Sequence, residues 1–186
     1  MIAQTDRLIV RNWRDSDEEL FYHINSDETV MAFFPMRRDR QQSREMMQKI
    51  RARIDETGFG FFALERKADG IPIGFAGLAR TDLEPHLSKG TVEIGWRLAA
   101  TEWRKGYATE AAEGLLKLGF EQRGLEEIVS FAVHDNTRST AVMERIGMQH
   151  DPARDFDHPH VPDTYPHLRR HVLYYITAKQ WKKRHG

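Results

Sequence analysis

The sequence predicts an α+β fold in a single domain that spans residues 1–186. Strand-like runs alternate irregularly with amphipathic helical stretches, and two of those runs are joined by a tight turn, which indicates antiparallel pairing. We find no internal repeat, linker or low-complexity stretch that would divide the chain. Its length is that of one ordinary domain, long enough to bury a continuous core.

Three elements are predicted in the first third of the chain. Residues 8–11 alternate in polarity like a half-buried strand. Ser16 and Glu19 have the spacing of a capping box, which would open a short helix. A second helix is predicted over residues 40–57, because apolar side chains recur on one face and Gly58 can end it.

A β-hairpin and a further strand follow. Residues 59–66 and 71–80 are strand-like, and the Asp69-Gly70 pair between them supplies the turn chemistry. Residues 91–98 form the next predicted strand. Since the hairpin strands are adjacent in sequence, this part of the sheet is expected to be antiparallel.

The second half of the chain is predicted to alternate helices and strands. A helix with an apolar stripe ends before Gly124, and a strand over 125–133 follows it. A helix over 137–146 and a last strand over 169–176 complete the pattern. The loop over 152–167 is long for a compact domain, so it is expected to be mobile or functional.

The most informative stretch runs from Trp103 to Ala112, out of a loop and into a helix. The first N–H groups of a helix have no intrahelical partner and lie at the positive end of its dipole, so they can hold an anion. Gly106 permits a tight turn, and Ala108 keeps the helix start free of bulk. The stretch therefore predicts a site for a diphosphate on the backbone of residues 104–109.

Other phosphate-binding patterns are absent, because the chain lacks both G-x-x-x-x-G-K-[ST] and G-x-G-x-x-G. The run closely resembles the acyl-CoA signature of the GNAT N-acetyltransferases, and more narrowly that of their RimJ/RimL-like members. Trp103 stands where the general signature has Gln or Arg, and Arg104 replaces a small residue. Further runs resemble the family in the right order: residues 5–17, 73–78, 92–98 and 134–148.

This resemblance implies the GNAT fold, a three-layer α/β/α arrangement whose central mixed, mostly antiparallel sheet is splayed at the acyl-CoA site. It implies transfer of an acetyl group from acetyl-CoA, as co-substrate, to a primary amine by direct attack. The backbone near Trp96, Arg97 and Leu98 would pair with the pantetheine arm, and Leu98 would donate to the thioester oxygen. The diphosphate would be bound by the loop residues Arg104, Lys105, Gly106, Tyr107, Ala108 and Thr109.

Three side chains are catalytic candidates, each with a structural alternative of similar weight. By resemblance, Asn136 contacts the pantetheine arm, or it caps the following helix. Ser139 would hydrogen-bond the departing sulfur, or it is an exposed helix serine. Glu93 would relay a proton through water, or it satisfies neighbouring backbone. Glu84 and His86 are further candidates for the base.

The acceptor is expected to meet the first two helices and the late loop. Phe33 and Phe34 would form an apolar wall, although plain core packing explains them as well. His158 and His160 would line the acceptor site, one of them as a possible base, unless they are ordinary surface residues. We expect no metal site, since the histidine-rich tail lacks fixed ligand spacing.

The composition limits the classes of partner. Lys plus Arg and Asp plus Glu are 28 each, so charge does not favour nucleic acid or an anionic membrane. With no cysteine and no long apolar run, we expect a soluble, cytoplasmic monomer or homodimer.

The preferred acceptor is the α-amino group of a protein or peptide. The alternatives are a small amine such as an aminoglycoside or polyamine, and a non-catalytic acyl-CoA-binding module.

Overall fold

The computed structural model describes all 186 residues and contains nine strands in one mixed sheet. The strands are β1 (Ala3–Gln4), β2 (Leu8–Arg11), β3 (Gly60–Arg66), β4 (Pro72–Arg80), β5 (Val92–Leu98), β6 (Glu127–Val133), β7 (Gln149–His150), β8 (Phe156–Asp157) and β9 (Arg170–Thr177). The α-helices are α1 (Glu18–Ser26), α2 (Arg40–Thr57), α3 (Tyr107–Lys117), α4 (Thr137–Arg145) and α5 (Ala178–His185). None of the helices combines the length and apolar character that a membrane span requires.

The strand order is β1-β2-β3-β4-β5-β6-β9-β7, and β8 also pairs with β9. Every pairing is antiparallel except that of β5 with β6, which is parallel. These two strands meet only at Glu93 and Val129 and separate beyond that point. The predicted α+β fold with a splayed, mostly antiparallel sheet is therefore confirmed.

Helices cover both faces of the sheet. Phe75 of β4 packs against Phe21 of α1, at 6.3 Å between ring centroids. The side chain of Leu78 points to the opposite face of the sheet from Phe75, because side chains alternate along a strand. It lies close to Gly119, just after the end of α3. The helices α1 and α2 thus lie on one face of the sheet, and α3 lies on the other, with the main apolar core between the layers.

Most predicted elements are present within one or two residues of their expected bounds. Gly58 ends α2 with φ 72° and Gly70 turns the hairpin with φ 69°, both in the left-handed region where glycine is favoured. The helix α5 and the two-residue strands β1, β7 and β8 were not predicted. The strand β8 lies within the long loop expected over 152–167 and orders part of it against β9.

The predicted capping box at Ser16 is wrong. The carboxylate of Asp17 accepts the Arg14 N–H at 2.8 Å, and the α-helix begins one residue later at Glu18. Asp17 also accepts two hydrogen bonds from the buried guanidinium of Arg11, at 2.7 and 2.9 Å. The buried ion pair thus places Asp17 at the start of the helix, where Ser16 was expected.

Candidate active site

A cavity of about 1950 Å³ passes through the opening between β5 and β6. Its walls come from the α1–α2 connection, β5, the start of α3, β6, the start of α4 and the loop before β9. Because β5 and β6 separate beyond Glu93, backbone and side chains from both faces of the sheet border one space. The sequence-predicted groups can therefore be located against a single cavity.

The loop that enters α3, residues 104–109, has an unusual backbone and is called the phosphate loop below. Arg104 has φ 62° and Gly106 has φ 82°, so two left-handed residues lie close together, an arrangement that turns successive N–H groups toward one side. The Glu110 N–H makes the first bond of the helix, to the Gly106 carbonyl at 3.0 Å. No N–H group from Arg104 to Thr109 has a protein acceptor. This backbone fits a diphosphate.

The phosphate loop is held in place by the turn between β1 and β2. Glu110, on the first turn of α3, accepts hydrogen bonds from the Thr5 hydroxyl at 2.5 Å and the Arg7 N–H at 2.8 Å. The guanidinium of Arg7 bonds Glu110 at 2.6 Å and the Lys105 carbonyl at 3.0 Å. Burial would raise the pKa of Glu110, but these donors outweigh it and hold the pKa below its usual value. Glu110 is thus a structural anion and fixes the start of α3.

Trp103 joins the phosphate loop to β5. Its indole N–H donates to the Leu98 carbonyl at 2.9 Å, and the guanidinium of Arg138 lies 4.1 Å from its ring centroid. The residue that departs from the general signature therefore ties together the end of β5, the phosphate loop and the start of α4. Arg138 also lines the cavity, although it was not among the predicted site residues.

The edge of β5 exposes backbone groups to the cavity at alternate residues. The Ile94 carbonyl accepts the Ser130 hydroxyl at 2.8 Å, and the Leu98 carbonyl accepts from Trp103, so even-numbered residues direct their backbone toward β6. Trp96 and the Leu98 N–H accordingly border the opening, as expected for groups that pair with an extended arm. The backbone of Arg97 faces β4 instead, because its carbonyl lies against Gly74. The pairing with β4 does not favour the backbone contact predicted for Arg97, although Arg97 is among the residues that line the cavity.

Asn136 and Ser139 lie together at the start of α4 and line the cavity. The side-chain oxygen of Asn136 accepts the Ser139 N–H at 3.3 Å, which makes Asn136 the N-cap of α4. The amide nitrogen of Asn136 and the hydroxyl of Ser139 have no protein partner. Both can still serve a ligand, so the capping role of Asn136 leaves its predicted second role open.

Glu93 lies on the cavity wall at the last point of contact between β5 and β6. Its carboxylate makes no hydrogen bond to the protein. Burial raises the pKa of Glu93 to about 7, and the charge of Arg53 partly opposes that rise. Glu84 and His86, the other candidate bases, are exposed and lie outside the cavity lining.

Phe33 and Phe34 lie in the connection between α1 and α2 and line the cavity, so they are not core residues. The guanidinium of Arg97 lies 4.1 Å from the Phe34 ring centroid and 5.2 Å from that of Phe75. Its Nη1 donates to the Asn25 amide oxygen at 2.6 Å. This cation in the cavity wall was not predicted, although strand alternation could have placed the Arg97 side chain on the same face as Glu93.

His158 and His160 line the cavity from the loop before β9, where His171 joins them. The His158 and His171 rings lie 4.9 Å apart, and the His160 N–H donates to Nδ1 of His158 at 3.2 Å. Burial lowers the pKa of His158 to about 4, and the neighbouring histidines add to the effect. His158 is therefore neutral at pH 7 but a weak base. No three His, Cys, Asp or Glu side chains are grouped so as to hold a metal ion.

Comparison with known proteins identifies a family. The model described as "Acetyltransferase (GNAT) domain" matches residues 7–149. The chain is 30% identical over 147 residues to the uncharacterized protein YkkB of Bacillus subtilis (strain 168), covering 78% of this chain and 84% of YkkB. It is 26% identical over 151 residues to an uncharacterized N-acetyltransferase, YnaD, of the same organism, covering 81% of this chain and 84% of YnaD.

Solved structures share the fold over nearly the whole chain. A GNAT-family acetyltransferase from Bacillus anthracis matches with a TM-score of 0.77 and 26% identity, covering 95% of this chain and 98% of that one. The aminoglycoside acetyltransferase AAC(6')-Ib, solved in complex with coenzyme A, matches with a TM-score of 0.75 and 16% identity, covering 96% of this chain and 99% of that one. At that identity the second match shows the fold alone.

Proposed function

We propose, from the premise that this chain belongs to the GNAT acetyltransferase family, that its acceptor is the α-amino group of a protein or peptide. The coarser activity is established by the family: the protein is an acetyl-CoA-dependent N-acetyltransferase. What the proposal adds is the acceptor, the RimJ/RimL-like assignment and the roles of individual residues. The observation that carries it is the carboxylate of Glu93 on the cavity wall, with its pKa raised to about 7.

The residues of the cavity fit coenzyme A. The six N–H groups of the phosphate loop have no protein acceptor, and two left-handed residues lie among them, an arrangement that can turn successive N–H groups toward one anion. The backbone of Trp96 and the Leu98 N–H border the opening between β5 and β6, where an extended arm can pair with them. When bound, acetyl-CoA supplies the thioester carbonyl that the amine attacks.

Three groups of the chain have distinct chemical roles in the proposal. The Leu98 N–H donates to the oxygen that gains charge during attack. Glu93 takes the proton from the ammonium through water, which leaves a neutral, nucleophilic amine. The hydroxyl of Ser139 donates to the sulfur as it leaves, which stabilises the thiolate without requiring full proton transfer.

The pKa of the base favours an α-amine over a lysine side chain. An α-ammonium group has a pKa near 8, about one unit above that of Glu93, whereas a lysine near 10.4 lies more than three units above it. Each unit of mismatch costs about 1.4 kcal/mol in the transfer of the proton. Glu93 therefore suits an N-terminal amine and would need further help with lysine.

The two alternatives make different predictions about the acceptor. A polyamine or aminoglycoside is polycationic, and the acceptor side of this cavity carries two arginines, Arg38 and Arg97, beside the carboxylate of Glu93. The two arginine charges repel that class of acceptor. A non-catalytic acyl-CoA-binding module would have no use for a partly buried carboxylate with a raised pKa next to the opening. Glu93 thus favours turnover.

A thiol-release assay with acetyl-CoA and a panel of amines tests the proposal. The critical comparison is a peptide with a free α-amine against the same peptide with a blocked α-amine and an internal lysine. We expect faster release with the free α-amine. Faster acetylation of the blocked peptide would overturn the proposed acceptor, and CoA binding without turnover on any amine would favour the binding module.

A further inference from the structure

Arg97 is a cation without an anionic partner inside the protein. The only hydrogen bond of its guanidinium within the chain is to the neutral amide of Asn25, at 2.6 Å, and its Nε is buried with no acceptor. Phe34 and Phe75 lie near its guanidinium, at 4.1 and 5.2 Å from the ring centroids. The other N–H groups of the guanidinium have no acceptor in the protein, and Arg97 lines the cavity.

A second cation is held beside it. The N–H of Arg38 donates to the backbone carbonyl of Asn25 at 3.0 Å, so Asn25 fixes both the Arg97 side chain and the Arg38 backbone. Arg38 also lines the cavity, and neither arginine takes part in an ion pair. Burial, and then the charge of Arg38, lower the pKa of Arg97 to about 9, so Arg97 remains charged at neutral pH.

Arg11, the one buried arginine of the chain, is paired with carboxylates, whereas the half-buried Arg97 is not. Arg11 is bonded to the carboxylates of Asp17 and Glu65, at 2.7 and 2.6 Å. A charge removed from water without such a partner costs several kcal/mol even after the protein relaxes around it, so proteins normally pair it. Arg123 also lacks an ion pair, but it lies outside the cavity lining, whereas Arg97 lines the cavity, which points to a ligand as the source of the anion for Arg97.

The diphosphate does not explain this anion site. The Arg97 side chain lies on the face of β5 that meets Phe75 and α1, whereas the Leu98 side chain and α3 lie on the opposite face. Phe33, Phe34 and Arg38, from the connection between α1 and α2, border the cavity on the side of Arg97. That side is where the proposed acceptor binds.

We propose that the acceptor carries a carboxylate close to its amino group, and that Arg97 and Arg38 bind this carboxylate. The inference rests on the part of the proposed function in which an α-amine attacks, and it adds a carboxylate to that acceptor. Two sources have the required chemistry: an acidic side chain near the start of a peptide, and the α-carboxylate of a free amino acid. A planar guanidinium suits a carboxylate, since its donors match the two oxygens.

The test uses matched acceptors that differ only in charge. Peptides that begin with Glu or with Gln form one pair, and free glutamine and its carboxamide form the other. For the wild type we expect the carboxylate member of the correct pair to have a kcat/KM about ten- to a hundredfold higher, as is typical of a charged hydrogen bond. The pair that shows the preference identifies the source of the carboxylate.

Substitutions test which arginine is responsible for the preference for a carboxylate. Arg97→Gln should abolish it, Arg97→Lys should keep part of it, and Arg38→Gln should weaken it. Arg37→Gln is the matched control, because Arg37 is exposed, outside the cavity lining and paired with Glu28 at 2.9 Å. The Kd for CoA, measured by calorimetry, should be unchanged in all four variants.

The outcomes separate the two proposals. Equal kcat/KM within both pairs in the wild type would overturn the carboxylate site and leave the α-amine acceptor intact. If no amine is acetylated, binding of the same acceptors to the CoA-loaded protein still tests the site. Tighter binding of a carboxylate member, lost in Arg97→Gln, would support it. Equal binding of both members would overturn it.

Discussion

The indole N–H of Trp103 donates to the Leu98 carbonyl at 2.9 Å and so fixes the phosphate loop to the end of β5. The Leu98 carbonyl belongs to the edge of β5 that borders the cavity. The geometry of the loop and the position of the Leu98 N–H are therefore set together. Trp103 thus has a positioning role through its indole N–H, a donor that the glutamine or arginine of the general signature does not have.

Trp103→Phe should weaken CoA binding without unfolding the protein. The ring can still stack with Arg138, but the donor is lost, and a hydrogen bond of this kind contributes about 1 kcal/mol, or roughly a fivefold rise in Kd. Calorimetry with CoA measures the effect. Trp13→Phe is the control, because Trp13 makes the same type of bond, to the Phe61 carbonyl at 2.7 Å, in the core outside the cavity. The control should melt earlier yet bind CoA normally, and equal CoA affinity in both variants would contradict the role of Trp103.

Gly106→Val should abolish CoA binding while the protein remains folded. Gly106 has φ 82°, a conformation that a β-branched residue adopts at a cost of about 1–2 kcal/mol, so the loop is expected to change its backbone and scatter its N–H groups. Gly70→Val is the matched control, since Gly70 has φ 69°, has open space around it and lies in the β3–β4 turn. It should lose similar stability but keep CoA affinity. Tight CoA binding by a folded Gly106→Val protein would refute the phosphate loop.

Activity should rise with pH through about 7, because Glu93 acts as a base only when ionised. Its raised pKa means that the carboxyl is protonated and inactive below that pH. Glu93→Gln should remove this acidic limb from the profile of kcat and leave only slow turnover. Arg53→Met should shift the limb to higher pH, because the charge of Arg53 lowers the pKa of Glu93. An unchanged profile in Glu93→Gln would exclude Glu93 as the base.

Ser139→Ala should lower kcat with little change in the Kd for CoA. The hydroxyl has no protein partner, so its removal leaves the fold intact, and the loss of a donor to the leaving sulfur costs at most about 2–3 kcal/mol in barrier. Steady-state kinetics and CoA calorimetry separate the two quantities. Turnover equal to that of the wild type would remove Ser139 from the chemistry.

Asn136 can be tested with two substitutions that divide its roles. Asn136→Ala removes the cap of α4 and should cost about 1 kcal/mol of stability, whereas Asn136→Asp preserves the cap. Both remove the amide N–H group that can bond the pantetheine arm, so both should weaken CoA binding. Thermal melts and CoA titrations measure the two effects. Normal affinity in Asn136→Asp would leave capping as its sole role.

Local chemistry made much of the fold predictable. The helix over 40–57 was found from apolar periodicity and from Gly58, and the hairpin from Asp69-Gly70, because these signals act within a few residues. The start of α1 was misplaced because Arg11 pairs with Asp17 across a strand and a turn. The helix α5 was missed, although Thr177 and Gln180 form the capping box that opens it.

The sequence by itself predicted most of the elements in their order and a candidate anion site over residues 104–109, since Gly106, the free N–H groups of a helix start and the apolar stripe of α3 are local properties. Only the tertiary structure decided what surrounds Arg97: a neutral Asn25, two phenylalanine rings and no carboxylate. It also placed Glu93 at the opening of the sheet, where burial raises the pKa of its carboxyl, and it placed Glu84 and His86 outside the cavity. Burial and charge pairing depend on distances between residues far apart in the chain, and those distances are set by packing.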